Sequence, residues 1–150
     1  MAEKRFISER IQKIAEEIIE NASILESWKD FYKDEKIKII FLESDKIKIS
    51  HGQTVCADCE KIADSKRWAI DADFVITVYS KNVTHFSDGQ MKVLLLHELM
   101  HVGIEDTGKG EFKKYIIPHD LQDFYYIVDK YGPLWDRTDI TKNKQLKFDF

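Results

Sequence analysis

Apolar residues recur at helical spacing in the first segment of the chain, from Ser8 to about Tyr32. Successive members lie three, four or seven positions apart, so they share one face of a helix. The stripe consists of Ile11, Ile14, Ile18, Leu25 and Trp28. This pattern predicts one long amphipathic helix whose apolar face covers a sheet.

Period-two alternation follows in two similar stretches, Glu35 to Ile40 and Asp45 to Ser50. Turn-prone residues lie between them, so the segment predicts a β-hairpin. From His51 to Arg67 the chain is polar and lacks a clean period, which favours a loop. The β-branched and aromatic run from Phe74 to Tyr79 then predicts a well-buried strand.

A second helix is predicted from Gln90 to Val102, where apolar residues occur on almost every side. A helix with that composition belongs in the middle of a domain. Ser87 and Asp88 are candidate N-cap residues, and Gly103 is a natural stop.

The remainder of the chain is more polar. Glu105 to Glu111 is predicted to be an exposed loop, and Tyr115 to Ile117 a short extended piece. Pro118 suits the start of a third helix, which we expect to end at about Tyr131, before Gly132-Pro133. Residues 136–150 form a polar tail that is either loose or docked by its three large apolar residues. Those residues are Leu146, Phe148 and Phe150.

Composition describes one globular domain, residues 1–150, with 43% hydrophobic and 33% charged residues. The 23 basic and 27 acidic side chains are interspersed, which argues against a nucleic-acid partner. No segment has the length of a membrane span or the form of a signal peptide, so we expect a soluble cytoplasmic protein. Nothing in the composition indicates the oligomeric state.

The sequence His97-Glu98-Leu99-Met100-His101 carries the clearest chemistry. Histidines at positions i and i+4 share a helix face, so both imidazoles can bind one metal ion. Catalytic zinc takes three protein ligands and keeps one position open for water, whose pKa it lowers to about 7. Glu98 is then placed to take the proton of that water as general base. Ionisable groups within an apolar helix are costly unless paired or metal-bound, which favours a single catalytic Zn²⁺.

The third ligand must come from downstream. The candidates are Glu105, Asp106, Glu111, His119, Asp120 and Asp123. His119 is preferred because imidazole suits zinc and because the 17 residues after His101 are enough for the chain to turn back. Asp120 is the main alternative ligand, and Asp120 or Asp123 is also a candidate partner for the second nitrogen of a ligand histidine. Helix capping explains both aspartates equally well.

These features resemble the putative phage metallopeptidase family, within the zincin-like group. The matching segments are DADFVITV (Asp71 to Val78), LLLHELMHVG (Leu94 to Gly103) and PHDLQDF (Pro118 to Phe124), followed by Tyr131-Gly132. The resemblance implies a zinc peptidase of a host-cell cytoplasm, acting on peptides or proteins. It also implies a helix pair that carries His97, His101 and His119 around zinc, with Glu98 catalytic.

The expected fold is therefore α+β and zincin-like. A long N-terminal helix packs on a small, mostly antiparallel sheet, and the metal-binding helix pair follows. Substrate is expected to lie extended along the edge of the strand from Phe74 to Tyr79. The metzincin pattern is excluded, because Ile104 and Thr107 occupy its glycine and third histidine positions.

Two other functions remain open: a zinc-containing module that binds a protein without cleaving it, and a zinc hydrolase of a non-peptide amide. His51, Cys56 and Cys59 suggest a second, small metal site, although a structural zinc usually takes four ligands. A redox pair and ordinary reduced cysteines are the alternatives for Cys56 and Cys59. Two cysteines are too few for a disulfide framework.

Overall fold

The structure, a computed structural model, describes residues 2–119, 127, 129 and 130. Pro118 and His119, where the third helix was predicted to begin, are not helical. Most of the rest of that predicted helix, including Asp120 and Asp123, lies outside the described residues, as does the tail of residues 136–150. Within that segment Ile127 is helical and fully buried.

The chain folds as α+β, as predicted, with a mixed sheet. The helices are α1 (Glu9–Asn21), α2 (Glu26–Lys33) and α3 (Asp88–Met100). The strands are β1 (Arg5–Ile7), β2 (Ile39–Ser44), β3 (Ile49–Ser50), β4 (Gln53–Thr54), β5 (Ala57–Lys61), β6 (Phe74–Tyr79), β7 (Val102–Asp106) and β8 (Phe112–Ile116). In the part of the chain that the structure describes, no helix is long and apolar enough to cross a membrane.

The apolar stripe predicts a single N-terminal helix, and this prediction is wrong. A 3₁₀ turn at Ser23–Leu25 separates α1 from α2. The side-chain amide of Asn21 donates to the carbonyl of Glu17 at 2.8 Å, and the residue after Asn21 has an extended backbone. Asparagine competes with helical backbone bonds in this way, so the helix ends there. The apolar stripe nevertheless continues into α2 and faces the same core.

The main sheet has the strand order β1-β2-β6-β5. β2 and β6 run parallel, whereas β1–β2 and β5–β6 are antiparallel. The predicted strand from Phe74 to Tyr79 is confirmed as β6, and five of its six residues are buried. Because β6 lies between β2 and β5, the expectation that its edge binds substrate is wrong. β5 is the strand at that edge of the sheet.

The predicted hairpin of Glu35–Ile40 with Asp45–Ser50 is wrong. β2 instead pairs with β1 and β6, because a buried inner strand needs a partner on each side. The hairpin in this region is β3–β4, which turns at His51 and Gly52. Both residues have positive φ, 51° and 74°, which suits the two-residue turn of a tight hairpin.

The loop predicted from His51 to Arg67 is also wrong, since it contains β4 and β5. β5 reads Ala-Asp-Cys-Glu-Lys, too polar to signal a strand on its own. Ala57 and Cys59 pack against the core, while the residues between and after them carry charge. A strand at a sheet edge tolerates this composition because only one of its faces is covered.

α1 and α3 pack together over one face of the sheet and enclose the core. α3 begins with a capping box: the Ser87 hydroxyl accepts from the Gln90 amide, and the Gln90 side chain accepts from the Ser87 amide. α3 ends at Met100, earlier than the predicted stop at Gly103, which lies within β7. A Cβ at Gly103 would lie only 2.4 Å from the ring of Tyr115 on β8, so glycine permits this close approach.

Candidate metal centre

The last turn of α3 carries the ionisable groups of the HExxH sequence. His97 lies within the helix and His101 is its C-cap residue, so the two rings share one side with centroids 5.2 Å apart. Glu98 is buried, with 4% of its surface exposed, and its Oε1 lies 3.9 Å from Nε2 of His97. The helix thus holds two imidazoles and one carboxylate in a single small volume.

The β7–β8 hairpin returns the chain to the end of α3. Its antiparallel pairing runs from Val102 with Ile116 to Asp106 with Phe112, and the chain beyond β8 then reaches His119. The Nε2 atoms of His119 and His97 lie 2.9 Å apart, and the ring of His119 is 4.5 Å from that of His101. The predicted exposed loop, Glu105 to Glu111, is exposed as expected and forms the tip of this hairpin, although Glu105 and Asp106 belong to β7. The hairpin thus brings the third histidine to the first two.

A pair of hydrogen bonds joins His101 to Ile117. The Ile117 amide donates to the His101 carbonyl at 2.8 Å, and Nδ1 of His101 lies 2.7 Å from the Ile117 carbonyl. A carbonyl oxygen only accepts, so Nδ1 of His101 carries the proton. Nε2 of His101 then has the lone pair that a metal requires.

The three histidines fit a metal ion. Their candidate ligand atoms all lie within 4.8 Å of one another. Tetrahedral zinc with Zn–N distances of about 2.0–2.1 Å places its nitrogens about 3.3 Å apart, close to the 2.9 Å between His97 and His119. Two neutral nitrogens this close repel unless a proton or a cation lies between them. The donor set is therefore suited to a divalent metal of the kind that imidazole binds.

Cys59 lies beside this site, which the sequence did not indicate. It pairs with the buried Ile76 of β6, and strand neighbours share a face, so its side chain points toward the helices. Burial raises the pKa of the Cys59 thiol, and the nearby carboxylate of Glu98 raises it further. Cys59 is consequently a neutral thiol beside Glu98.

The other predicted site residues are not part of this cluster. Glu105, Asp106 and Glu111 are exposed in the hairpin, and Asp120 and Asp123 lie outside the described residues. His51 is at the turn of the β3–β4 hairpin, whereas Cys59 lies on β5 and Cys56 immediately precedes β5. Among residues 2–119, 127, 129 and 130, His97, His101 and His119 are the one group of three potential ligands close enough to hold a metal.

Two contacts that support the histidine cluster were not predicted from the sequence. The Ile117 carbonyl is a main-chain group, and the ion pair of Asp73 with Lys114 joins residues that are distant in the chain. The sequence does carry one signal for the Asp73–Lys114 ion pair. An aspartate stands immediately before a buried strand, and a buried charge needs a partner.

No curated protein and no solved structure matches this chain. The model of one family, described as Putative phage metallopeptidase, matches residues 4–144. That family implies a metal-dependent enzyme that acts on peptides or proteins, in keeping with the three clustered histidines. Since the match spans nearly the whole chain, the protein belongs to the putative phage metallopeptidase family.

Proposed function

We propose that the protein is a zinc peptidase in which His97, His101 and His119 hold one Zn²⁺ and Glu98 is the general base. The observation that carries the proposal is the grouping of three imidazoles within 4.8 Å beside a buried carboxylate. Membership of the family supports hydrolysis of peptide bonds. Zinc, when bound, supplies Lewis-acid chemistry that acidifies water and polarises a carbonyl oxygen.

The protein's own residues orient the metal ligands and transfer the proton. The Ile117 carbonyl keeps the Nδ1 proton of His101 in place, which leaves Nε2 of that ring for the metal. Glu98 follows His97 by one position and is therefore rotated about 100° around the helix. From there its carboxylate accepts a proton from the attacking water and returns it to the leaving amine.

The neutral Cys59 thiol and the core residues around it exclude water from one side of Glu98. A carboxylate in such surroundings interacts more strongly with nearby charges than it would in bulk water. We place an extended substrate along β5, because it is the edge strand of the described sheet and carries Cys59 toward Glu98.

Metal content and hydrolysis together test the proposal. Purified wild-type protein should contain one zinc ion per chain, and His97→Ala and His119→Ala should contain much less. Glu98→Gln should keep zinc and lose about 10²- to 10⁴-fold in hydrolysis of a mixed peptide library, measured by new amino termini. Glu105→Gln, which changes an exposed carboxylate on β7, is the matched control and should match wild type.

Each contrary outcome is distinct. Wild-type protein with less than stoichiometric zinc contradicts the metal site. Zinc binding with no hydrolysis by wild type, and a partner interaction unchanged by Glu98→Gln, indicates a binding module. Cleavage of non-peptide amides with peptides left intact contradicts the choice of substrate but retains the metal site.

A further inference from the structure

The Lys114 ammonium contacts the Asp73 carboxylate, with Nζ 2.7 Å from Oδ1. Asp73 immediately precedes β6 and is 2% exposed, whereas the Lys114 side chain on β8 is 22% exposed. Water screens an ion pair this well covered less than it screens a surface pair. The contact therefore joins the β7–β8 hairpin to the main sheet.

Asp73 is a fixed point of attachment. Its Oδ2 accepts from the Lys38 amide at 2.7 Å, and its Oδ1 also accepts from Nε of Arg67 at 3.1 Å. Its own amide donates to the Lys38 carbonyl. Burial raises the pKa of Asp73, but Lys114, the Lys38 amide and Arg67 together lower it below its ordinary value, so the carboxylate is charged. Three residues thus hold the carboxylate at the end of the sheet: Lys114, Lys38 and Arg67.

Lys114 is close in sequence to the metal centre. Ile117, which fixes the His101 ring, lies three positions later, and His119 lies five positions later. The hairpin also contacts α2, where the Phe112 and Phe31 rings lie 4.7 Å apart. β8 also lies against β5, and β7 lies against α3, so the orientation of the hairpin depends on these elements together with the Asp73 contact.

The three histidines differ in how they are held. His97 lies in α3 and His101 is its C-cap residue, and α3 packs against α1 and the sheet. His119 is exposed and follows the hairpin, so its position depends on how the hairpin is oriented. A ligand that is displaced by even a fraction of an ångström binds a metal less well.

We propose that the Asp73–Lys114 ion pair positions His119 against His97 and His101, and thereby sets the affinity of the protein for its metal. Lys114 is a positioning residue, since it acts through the hairpin rather than by contact with the metal. The inference rests on the proposed function only in that His119 is a metal ligand. It does not depend on which bond the enzyme cleaves.

Zinc affinity, measured by competition with a chromogenic chelator, tests this inference. Lys114→Met removes the charge and keeps the length of the side chain, and it should weaken zinc binding about tenfold, the lower end of the range for groups that support ligands. Lys114→Arg keeps the ion pair and should restore affinity to within about threefold of wild type. Lys113→Met, a change at the exposed neighbour on the same strand, should leave affinity unchanged.

Lys114 is the better residue to change, because Asp73 keeps Arg67 and the Lys38 amide in Lys114→Met. The melting temperature of the metal-free variant checks that it folds. If Lys114→Met does not fold, Lys114→Gln, which keeps a hydrogen-bond donor, takes its place in the same comparison.

A double-mutant cycle distinguishes positioning of His119 from general stabilisation. If Lys114 acts through His119, Lys114→Met should cost almost no additional affinity in a His119→Ala background. An equal loss in both backgrounds, or wild-type affinity in Lys114→Met, overturns the inference and leaves the proposed metal site intact. If the wild-type protein does not bind zinc, the inference and the proposed metal site are both overturned. If His119→Ala binds zinc as tightly as wild type does, His119 is excluded as the ligand through which Lys114 acts.

Discussion

His101 and Ile117 are joined twice: the Ile117 amide donates to the His101 carbonyl, and the Ile117 carbonyl accepts from Nδ1 of the His101 ring. The first bond attaches the end of β8 to the end of α3, and the second determines the tautomer of the ring. Because Nδ1 is occupied, Nε2 of His101 is the atom available to a metal.

This relationship predicts the nitrogen spectrum of the zinc-loaded protein. In two-dimensional ¹H–¹⁵N NMR of the histidine side chains, His101 should show a protonated, slowly exchanging Nδ1 and a metal-bound Nε2. His85, an exposed histidine before α3, is the internal control, and its ring N–H should exchange fast. Metal bound at Nδ1 of His101 would contradict the assigned tautomer.

Cys59 should be chemically inert in the folded protein. Burial and the neighbouring Glu98 carboxylate both raise the pKa of its thiol, so less thiolate is present at any given pH than in a free cysteine. In metal-free Cys56→Ser protein at pH 8, we expect iodoacetamide to modify Cys59 at least about tenfold more slowly than in urea, a factor equivalent to one pKa unit. Mass spectrometry measures the rate.

The same experiment tests how close Cys59 is to Glu98. Glu98→Gln removes a negative charge that raises the pKa of the thiol, so modification should become faster in the folded protein. Glu105→Gln, at an exposed carboxylate on β7, should leave the rate unchanged. Equal rates in Glu98→Gln and Glu105→Gln would show that the carboxylate of Glu98 does not influence Cys59.

Glu43 should contribute to stability in a pH-dependent way. Burial raises its pKa, but hydrogen bonds from Ser8, Arg10 and Ser80 outweigh burial and hold the pKa below its ordinary value. A depressed folded pKa means that this stabilisation is present above the unfolded pKa, about 4.3, and is lost as the pH falls through the folded value.

Replacing Glu43 with glutamine should therefore lower the free energy of unfolding by about 1–3 kcal/mol at pH 7. It should also make that free energy less dependent on pH below about 4.3. Urea unfolding at several pH values measures both effects. Glu60→Gln, on the exposed side of β5, is the control. Its free energy of unfolding and the pH dependence of that free energy should both stay close to those of wild type. A parallel pH dependence in Glu43→Gln and wild type would contradict this role.

Ser87 should stabilise the helix that carries the metal ligands. Its hydroxyl accepts from the Gln90 amide, and loss of an N-cap bond typically costs about 1 kcal/mol. For a chain of this size that cost corresponds to a fall of about 2–4 °C in the melting temperature of Ser87→Ala. Thr84→Ala, in the exposed segment before the helix, should melt as wild type does.

Features that depend on local sequence were predicted well. The buried strand from Phe74 to Tyr79 has the composition of a strand and is one. Ser87 is the N-cap of the second predicted helix, which begins at Asp88, two residues before the predicted Gln90. The side-by-side placement of His97 and His101 follows from helix geometry alone. These features need no information about which segments meet in space.

Features that depend on distant partners were missed. β1 has three exposed residues and becomes a strand because it pairs with β2. β5 is polar and forms because β6 offers an open side. His119 was expected near His97 and His101 because imidazole suits zinc. The hairpin that brings it there was not predicted, because it depends on a contact between strands in which Gly103 accommodates Tyr115. Local propensity does not determine such pairings.

The β7–β8 hairpin also has a consequence for amide hydrogen exchange. It is the chain between His101 and His119, so any excursion that opens it separates the ligands. A metal that binds only the closed form must stabilise that form, by about 2.7 kcal/mol at a hundredfold excess over the dissociation constant. Where exchange proceeds through such opening, zinc should slow it about a hundredfold in the hairpin amides. The hairpin would then serve as an internal reporter of metal occupancy.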